Sequence, residues 1–326
     1  MSKSIVECLL CPKKCKLAHK ERGDCRVRFN QDGKLMTLIY GKPCAVHVDP
    51  IEKKPMFHFL PGTGAFSLAT AGCNLHCIFC QNWEISQANP EDTRNSDLPP
   101  EAVVELAKRY RCRSIAYTYS EPIIFYEYVY DTSQLAREQG LKNILVTAGY
   151  INEEPLRKLC EVIDGANVDL KGFTDRYYRE ICFGRLKPVL RCLEIMREEG
   201  VMVEVTNLVI PTLNDDFYLI EKMCRWIVEV LGDDVPLHFS RFYPRYKLKS
   251  LYPTPVATLK KAGEVAKQAG LKYVYIGNVP GQEGEDTICS QCRRVVVDRI
   301  GYQVNAFFIT DGHCQFCNQK IAGVWE

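Results

Sequence analysis

No apolar run in this chain approaches the length needed to cross a bilayer, and residues 1–10 hold no apolar core of the kind a secretory leader needs. Neither sign of charge is in excess. The 42 Lys and Arg stand against 40 Asp and Glu, leaving a net charge of +2. So even a balance offers no broad nucleic-acid surface, and any such contact would have to be local. The expectation is a soluble, cytoplasmic protein. Its 326 residues suffice for a large core and for roughly two domains.

Cysteine, by contrast, is abundant. Eleven of the 17 fall into three clusters: Cys8, Cys11, Cys15 and Cys25; Cys73, Cys77 and Cys80; Cys289, Cys292, Cys314 and Cys317. In a reducing compartment, short clustered spacings favour metal over disulfides. The scattered remainder (Cys44, Cys112, Cys160, Cys182, Cys192 and Cys224) includes several thiols among apolar residues, which read as small buried hydrophobes.

The middle cluster organises the chain. Residues 65–71 form a short apolar run closed by Gly72, which reads as a buried strand feeding a loop. The loop carries cysteines spaced C-x3-C-x2-C. Three thiolates suit a cubane iron–sulfur cluster that keeps one iron open, whereas a closed structural site takes four. A zinc site that borrows its fourth ligand elsewhere, or a reduced buried trio, is the other reading.

Residues 1–62 read as an N-terminal cysteine-rich module, C-x2-C-x3-C-x9-C, followed by a hairpin around Asp32-Gly33. Its metal is zinc or an auxiliary iron–sulfur cluster, and the residues leave both open. Residues 282–326 read as a four-cysteine zinc ribbon, with strands at 295–297 and 306–309, behind a linker rich in Gly281, Gly284 and acidic residues.

Between them, residues 63–281 alternate strand and helix. Strands are expected at 65–72, 114–120, 142–148, 166–171, 202–210, 236–242 and 272–277. Pro99 and Pro100 open one helix, Asn152 is placed to cap another, and Thr254 a third that starts at Pro255. Gly140, Gly200 and Gly270 each precede a strand and read as helix C′ residues. Successive βα units imply an α/β fold with a parallel sheet and right-handed crossovers. A partial (β/α)6 TIM-type barrel fits, because a complete barrel takes about 250 residues.

In such a fold the working residues sit at the C-terminal ends of strands. Strand two ends in Ser120-Glu121. The Glu121 carboxylate is placed to accept a hydrogen bond from a cationic amine or to satisfy a helix N-terminus. Thr147 ends strand three, placed either to bond a ligand or merely to cap the strand. Asp169 and Lys171 end strand four and point to one side, an expensive pair unless they meet each other or a ligand. Asn207 ends strand five as a ligand contact or, equally, a satisfied core polar group, and Arg241 offers an anion clamp in a loop of interleaved basic and aromatic residues that otherwise reads as a solvated basic loop. His238 reads as structural. Tyr275 to Asn278 are placed to close one side of a ligand.

The stretch Cys73-Asn74-Leu75-His76-Cys77-Ile78-Phe79-Cys80 resembles the signature of radical S-adenosylmethionine (radical SAM) enzymes, including the aromatic Phe79. Asp169-Leu170-Lys171 resembles the Asp-x-Lys motif of pyruvate formate-lyase activating enzymes. Phe59-Leu60-Pro61-Gly62, Tyr117-Thr118-Tyr119-Ser120-Glu121-Pro122, the string from His238 to Tyr246 and Tyr273-Val274-Tyr275-Ile276-Gly277-Asn278 look like the radical SAM member of the AmmeMemoRadiSam system. The resemblance covers most of the chain. It implies a [4Fe–4S] cluster on Cys73, Cys77 and Cys80 whose fourth iron binds the amine and carboxylate of S-adenosylmethionine. Reductive cleavage would give a 5′-deoxyadenosyl radical that takes hydrogen from a protein or peptide substrate. Phe79, Ser120, Glu121, Thr147, Asp169, Lys171, Asn207 and Arg241 are the expected cofactor contacts. Many family members carry Gly-Gly-Glu where this chain has Ser-Glu-Pro. The implied partners are an electron donor such as ferredoxin or flavodoxin, and Memo-like and AMMECR-like proteins. The contrasting reading is a zinc-bearing factor that binds RNA or protein and whose barrel is inert.

Overall fold

A computed structural model describes residues 5–279 and 284–326. The chain begins with short ladders. Strands β1 (Arg28–Gln31) and β2 (Lys34–Thr37) pair antiparallel around Asp32 and Gly33, at φ 52° and 85°. Two positive φ values in a two-residue loop are what an Asp-Gly hairpin requires.

Eight further strands form one sheet in chain order: β3 (Ala45–Pro50), β4 (Gly64–Ala69), β5 (Ser114–Tyr117), β6 (Lys142–Thr147), β7 (Gly165–Asp169), β8 (Met202–Val209), β9 (Leu237–Arg241) and β10 (Val274–Gly277). From β4 to β10 all neighbours are parallel. The seven strands expected from the sequence are all present. One helix of eight residues or more lies in each crossover: α1 (Pro100–Arg109), α2 (Tyr126–Glu138), α3 (Glu153–Cys160), α4 (Leu186–Glu198), α5 (Phe217–Trp226) and α6 (Val256–Gln268). Covered strands are apolar on both faces, and Ser114–Tyr117 is buried throughout. The sheet is open, with β3 and β10 at its edges.

Strand β3 is an addition. It lies within the stretch expected to be a separate module, yet it pairs antiparallel with β4 from Ala45↔Ala69 to Pro50↔Gly64. Half-exposed and interrupted by His47 and Asp49, it carries too weak an apolar signal to stand out in the sequence.

Helix ends follow expectation at Gly140, Gly200 and Gly270, all left-handed. Two caps do not. Asn152 precedes α3, but its amide donates to the Leu9 carbonyl (2.6 Å) and ties the helix to the N-terminal region. The Thr254 hydroxyl donates to the Val209 carbonyl (2.6 Å) and accepts from the Phe242 amide (3.0 Å), and α6 begins at Val256.

The C-terminal unit is built on β11 (Val295–Ile300) and β12 (Gln303–Phe307), antiparallel, with Ile309–Thr310 in a separate small ladder. It seals one end of the sheet through buried polar groups. Glu204 accepts from the His58 amide (2.7 Å) and meets His238 Nε2 (2.6 Å); His58 Nε2 meets the Tyr275 hydroxyl (2.6 Å) and its Nδ1 the Ala322 carbonyl (2.7 Å). Arg299 donates to the Phe57 carbonyl (2.6 Å) and to Thr287 Oγ1 (2.8 Å). His238 and Tyr275 are thus structural, as expected for the first and contrary to expectation for the second. The linker expected near Gly281 lies partly outside the described residues.

Burial lowers the His58 imidazole from 6.5 to about 4, with the Glu204 carboxylate opposing. The unfolded chain therefore takes up a proton near pH 6.5 that the folded chain refuses until about pH 4. Stability is lost as pH falls through that window, by up to about 3 kcal/mol. The thermal midpoint should fall between pH 7.5 and 5.5, and His58→Asn should lower the midpoint at pH 7.5 while flattening the slope. An unchanged slope in the variant would contradict the assignment.

Candidate active site

The cysteine loop leaves β4 at Gly72 and is fastened from several sides. The His76 amide donates to the Cys182 carbonyl (3.1 Å), the Ile78 amide to the Ile181 carbonyl (3.1 Å), and Asn82 Nδ2 to the Tyr119 carbonyl (2.8 Å). Cys73, Cys77 and Cys80 open onto a cavity of about 460 Å³ at the C-terminal ends of the parallel strands. Phe79, Ser120, Glu121, Thr147, Asp169 and Lys171 line it too, so six of the eight expected contacts converge with the three thiols.

Glu121 is almost wholly buried. Its Oε1 accepts from Thr147 Oγ1 (2.6 Å) and the Ile123 amide (3.2 Å), and its Oε2 from the Ala148 amide (2.8 Å). Burial raises its pKa, and these donors pull the other way. A carboxylate has about four acceptor positions, so one remains for a donor in the cavity. The carboxylate also caps the 3-10 turn Pro122–Phe125, so the two roles weighed from the sequence coexist. Ser120 spends its hydroxyl on the Thr70 carbonyl (2.7 Å). Lys171 Nζ pairs with Asp169 (2.8 Å) beside the Phe79 ring. Burial works against the Lys171 charge, but Asp169 and the nearby thiols hold its pKa well above the usual value. The Cys77 thiol is held low by a hydrogen bond from Cys182, against burial, with Lys171 assisting. Burial and Glu121 push Cys73 up.

Two expected contacts lie elsewhere. Asn207 faces the opposite side of β8, where its amide donates to the Leu170 carbonyl (2.7 Å); the cavity-facing residues of that strand are Thr206 and Leu208. Side chains alternate along a strand, so a shift of one position swaps faces. Arg241 donates to the Thr254 carbonyl (2.9 Å) and stacks on Tyr243, and Ser240 reaches the cavity instead. Thr206 Oγ1 is buried without a partner, an opening that a ligand group would fill.

Sequence reasoning missed Lys53 and Lys54, which reach the cavity from the connection after β3. Lys54 is 2 % exposed and bonds Asp49 (2.5 Å), which also receives Lys53 (2.9 Å) and the Tyr119 hydroxyl. Burial brings Lys54 down to about 8, with Asp49 opposing. Cys182, one of the six scattered thiols, lies against Cys77.

The thiols differ in spacing. Among the described residues, Cys289, Cys292, Cys314 and Cys317 are the group whose ligand atoms all lie within 4.8 Å of one another. They could hold one metal ion. Cys73, Cys77 and Cys80 do not all lie within that distance of one another.

A model of the radical SAM superfamily matches residues 67–223. The chain belongs to that superfamily and is a radical SAM enzyme. It is 46% identical over 320 residues to an uncharacterized protein of Methanocaldococcus jannaschii, covering 97% of this chain and 95% of that protein. It is also 25% identical over 218 residues to the pyruvate formate-lyase-activating enzyme of Clostridium pasteurianum, covering 60% of this chain and 87% of that enzyme. Streptococcus suis SuiB, crystallised with S-adenosylmethionine, shares the fold at a TM-score of 0.51 and 13% identity, over 70% of this chain and 53% of that one.

The exposure of the Asp169–Lys171 pair is uneven, at 37% and 14% of the side chains. Removing the more exposed acid strands the more buried cation. Asp169→Ala should therefore lower the thermal midpoint more than Lys171→Met, by about 2 kcal/mol of stability. The double variant should recover part of the loss. A larger effect from Lys171→Met would show that the pair is not the partnership described.

Proposed function

We propose that this chain is an activating-enzyme-like radical SAM enzyme acting on a protein or peptide. The observation that carries the reading is the convergence of three thiols with the Glu121 carboxylate on one cavity. In this reading the open sheet is a partial (β/α)6 TIM-type barrel. The chain divides at 1–62, 63–281 and 282–326, with the first part lending β3 to the sheet. The setting is the cytoplasm. Among the described residues no helix is long and apolar enough to cross a membrane.

Cys73, Cys77 and Cys80 would hold a [4Fe–4S] cluster. Once bound with S-adenosylmethionine, the cluster supplies one-electron cleavage of the sulfonium carbon–sulfur bond and thus a 5′-deoxyadenosyl radical. The chain's own residues do the positioning. Glu121 accepts a hydrogen bond from the ligand's ammonium, fixed in aim by Thr147 and the Ala148 amide. Thr206 and Ser240 offer hydroxyls to the ligand's polar edge. Lys171, steadied by Asp169, holds positive charge beside the thiolates and favours their ionised form. Phe79 and Leu208 exclude water. The C-terminal four-cysteine group holds zinc. An electron donor of the ferredoxin or flavodoxin class and Memo-like and AMMECR-like partners fit the same reading, the latter by resemblance of sequence alone.

Anaerobic protein reconstituted with iron and sulfide, then given S-adenosylmethionine and a strong reductant, should release 5′-deoxyadenosine. Cys77→Ala should abolish release, and Glu121→Gln should weaken S-adenosylmethionine binding about tenfold, the equivalent of one charged hydrogen bond, while retaining iron. No 5′-deoxyadenosine from protein with an intact cluster would overturn the reading. Metal analysis should find about one zinc per chain, lost in Cys314→Ser.

A further inference from the structure

The N-terminal cysteines have no role in the site just described, yet Cys8, Cys11, Cys15 and Cys25 surround one small pocket. At the C-terminal group the thiols sit at single-ion spacing: Cys289 and Cys317 are 3.6 Å apart, and Cys292 and Cys314 are 3.8 Å apart. Those separations are edges of a tetrahedron with metal–sulfur bonds of about 2.3 Å. No three of the N-terminal thiols come within 4.8 Å of one another, although all four are described. The N-terminal four are therefore set wider apart than the C-terminal four.

The pocket wall carries two cations, Lys13 and Arg28, against one carboxylate, Asp24, which Lys13 pairs (2.8 Å). Arg28 lines it and is 5% exposed, and its Nε is buried without a hydrogen-bond partner. The guanidinium's other end is committed to Glu127 (2.5 Å). Backbone amides already aim at the sulfurs. The Asp24 amide donates to Cys15 Sγ (3.5 Å), and those of Val27 and Arg28 reach Cys25. Amide donors of this kind stabilise the charge of a thiolate-ligated iron–sulfur cluster. Asn74, the residue after Cys73, also lines this pocket, so the two cysteine sets share a wall.

We propose that Cys8, Cys11, Cys15 and Cys25 hold a second iron–sulfur cluster, a cubane with all four irons ligated by protein. It is closed where the central one is open, and zinc does not fill it. The assignment rests on thiol spacing and on the pocket wall. Only its description as a second cluster depends on the radical SAM reading.

The test uses the full chain, reconstituted anaerobically with ferrous iron and sulfide. A Cys73→Ala/Cys77→Ala/Cys80→Ala variant should retain about four iron and four sulfide per chain. When reduced, it should show an electron paramagnetic resonance signal that S-adenosylmethionine does not alter. Conversely, Cys8→Ser/Cys15→Ser with the central trio intact should drop from about eight iron per chain to about four, with zinc unchanged at about one. Two zinc and no iron in the first variant, or eight iron retained in the second, would overturn the proposal. The signal of the wild-type central cluster tests the other reading separately. If S-adenosylmethionine leaves that signal unchanged, the radical SAM assignment fails and this one still stands on the iron of the first variant.

Discussion

The turn at Gly72 is the constraint on which the rest of the molecule depends. Its φ is +94°, and a Cβ there would lie 2.5 Å from the Cys25 carbonyl oxygen and 2.8 Å from Val27 Cγ1. A side chain would meet left-handed strain of about 1–3 kcal/mol and a backbone clash besides. Because no side chain intervenes, strand β4 ends against the N-terminal module, and the cysteine loop is thrown onto the sheet's C-terminal rim. One glycine thus joins the sheet, the loop and the four-cysteine module into one packed unit.

From that rim the electrostatics follow. The cavity gathers Glu121 and Asp169 with Lys53, Lys54 and Lys171. Each buried charge has a fixed partner: Lys54 has Asp49, Lys171 has Asp169, and Glu121 has Thr147 with two backbone amides. Such pairing makes burial tolerable. It also leaves the cavity with both signs of charge in set places, which suits a ligand that carries an ammonium and a carboxylate together. The opposite end of the sheet is closed by the Glu204–His238–Tyr275–His58 chain and Arg299.

Much of this was legible in the residues. The seven parallel strands, their helices and the Asp-Gly hairpin follow from periodicity and turn chemistry, because each is a local signal. The converging thiols, Glu121, Thr147 and the Asp169–Lys171 pair follow from strand ends. What failed was parity. Asn207 and Arg241 carry richer chemistry than Thr206 and Ser240, but a strand's twofold alternation decides which residue faces in, and composition cannot show the phase. Strand β3 and the lysines behind it were hidden for a different reason. An edge strand needs little apolar signal, and a buried lysine is recognised only by its partner, here an Asp49 that no spacing rule connects to the cavity. The spacing that brings Cys289, Cys292, Cys314 and Cys317 within 4.8 Å of one another exists only in three dimensions.

The central claim is that three cysteines leave one iron open to a ligand oriented by Glu121. Electron–nuclear double resonance on the reduced protein with S-adenosylmethionine labelled at the amine nitrogen and carboxylate oxygens tests it most directly. The account predicts hyperfine coupling from both labels to the cluster, lost when Cys80 is replaced by Ala. An intact, reduced cluster that shows no coupling to either label would contradict it.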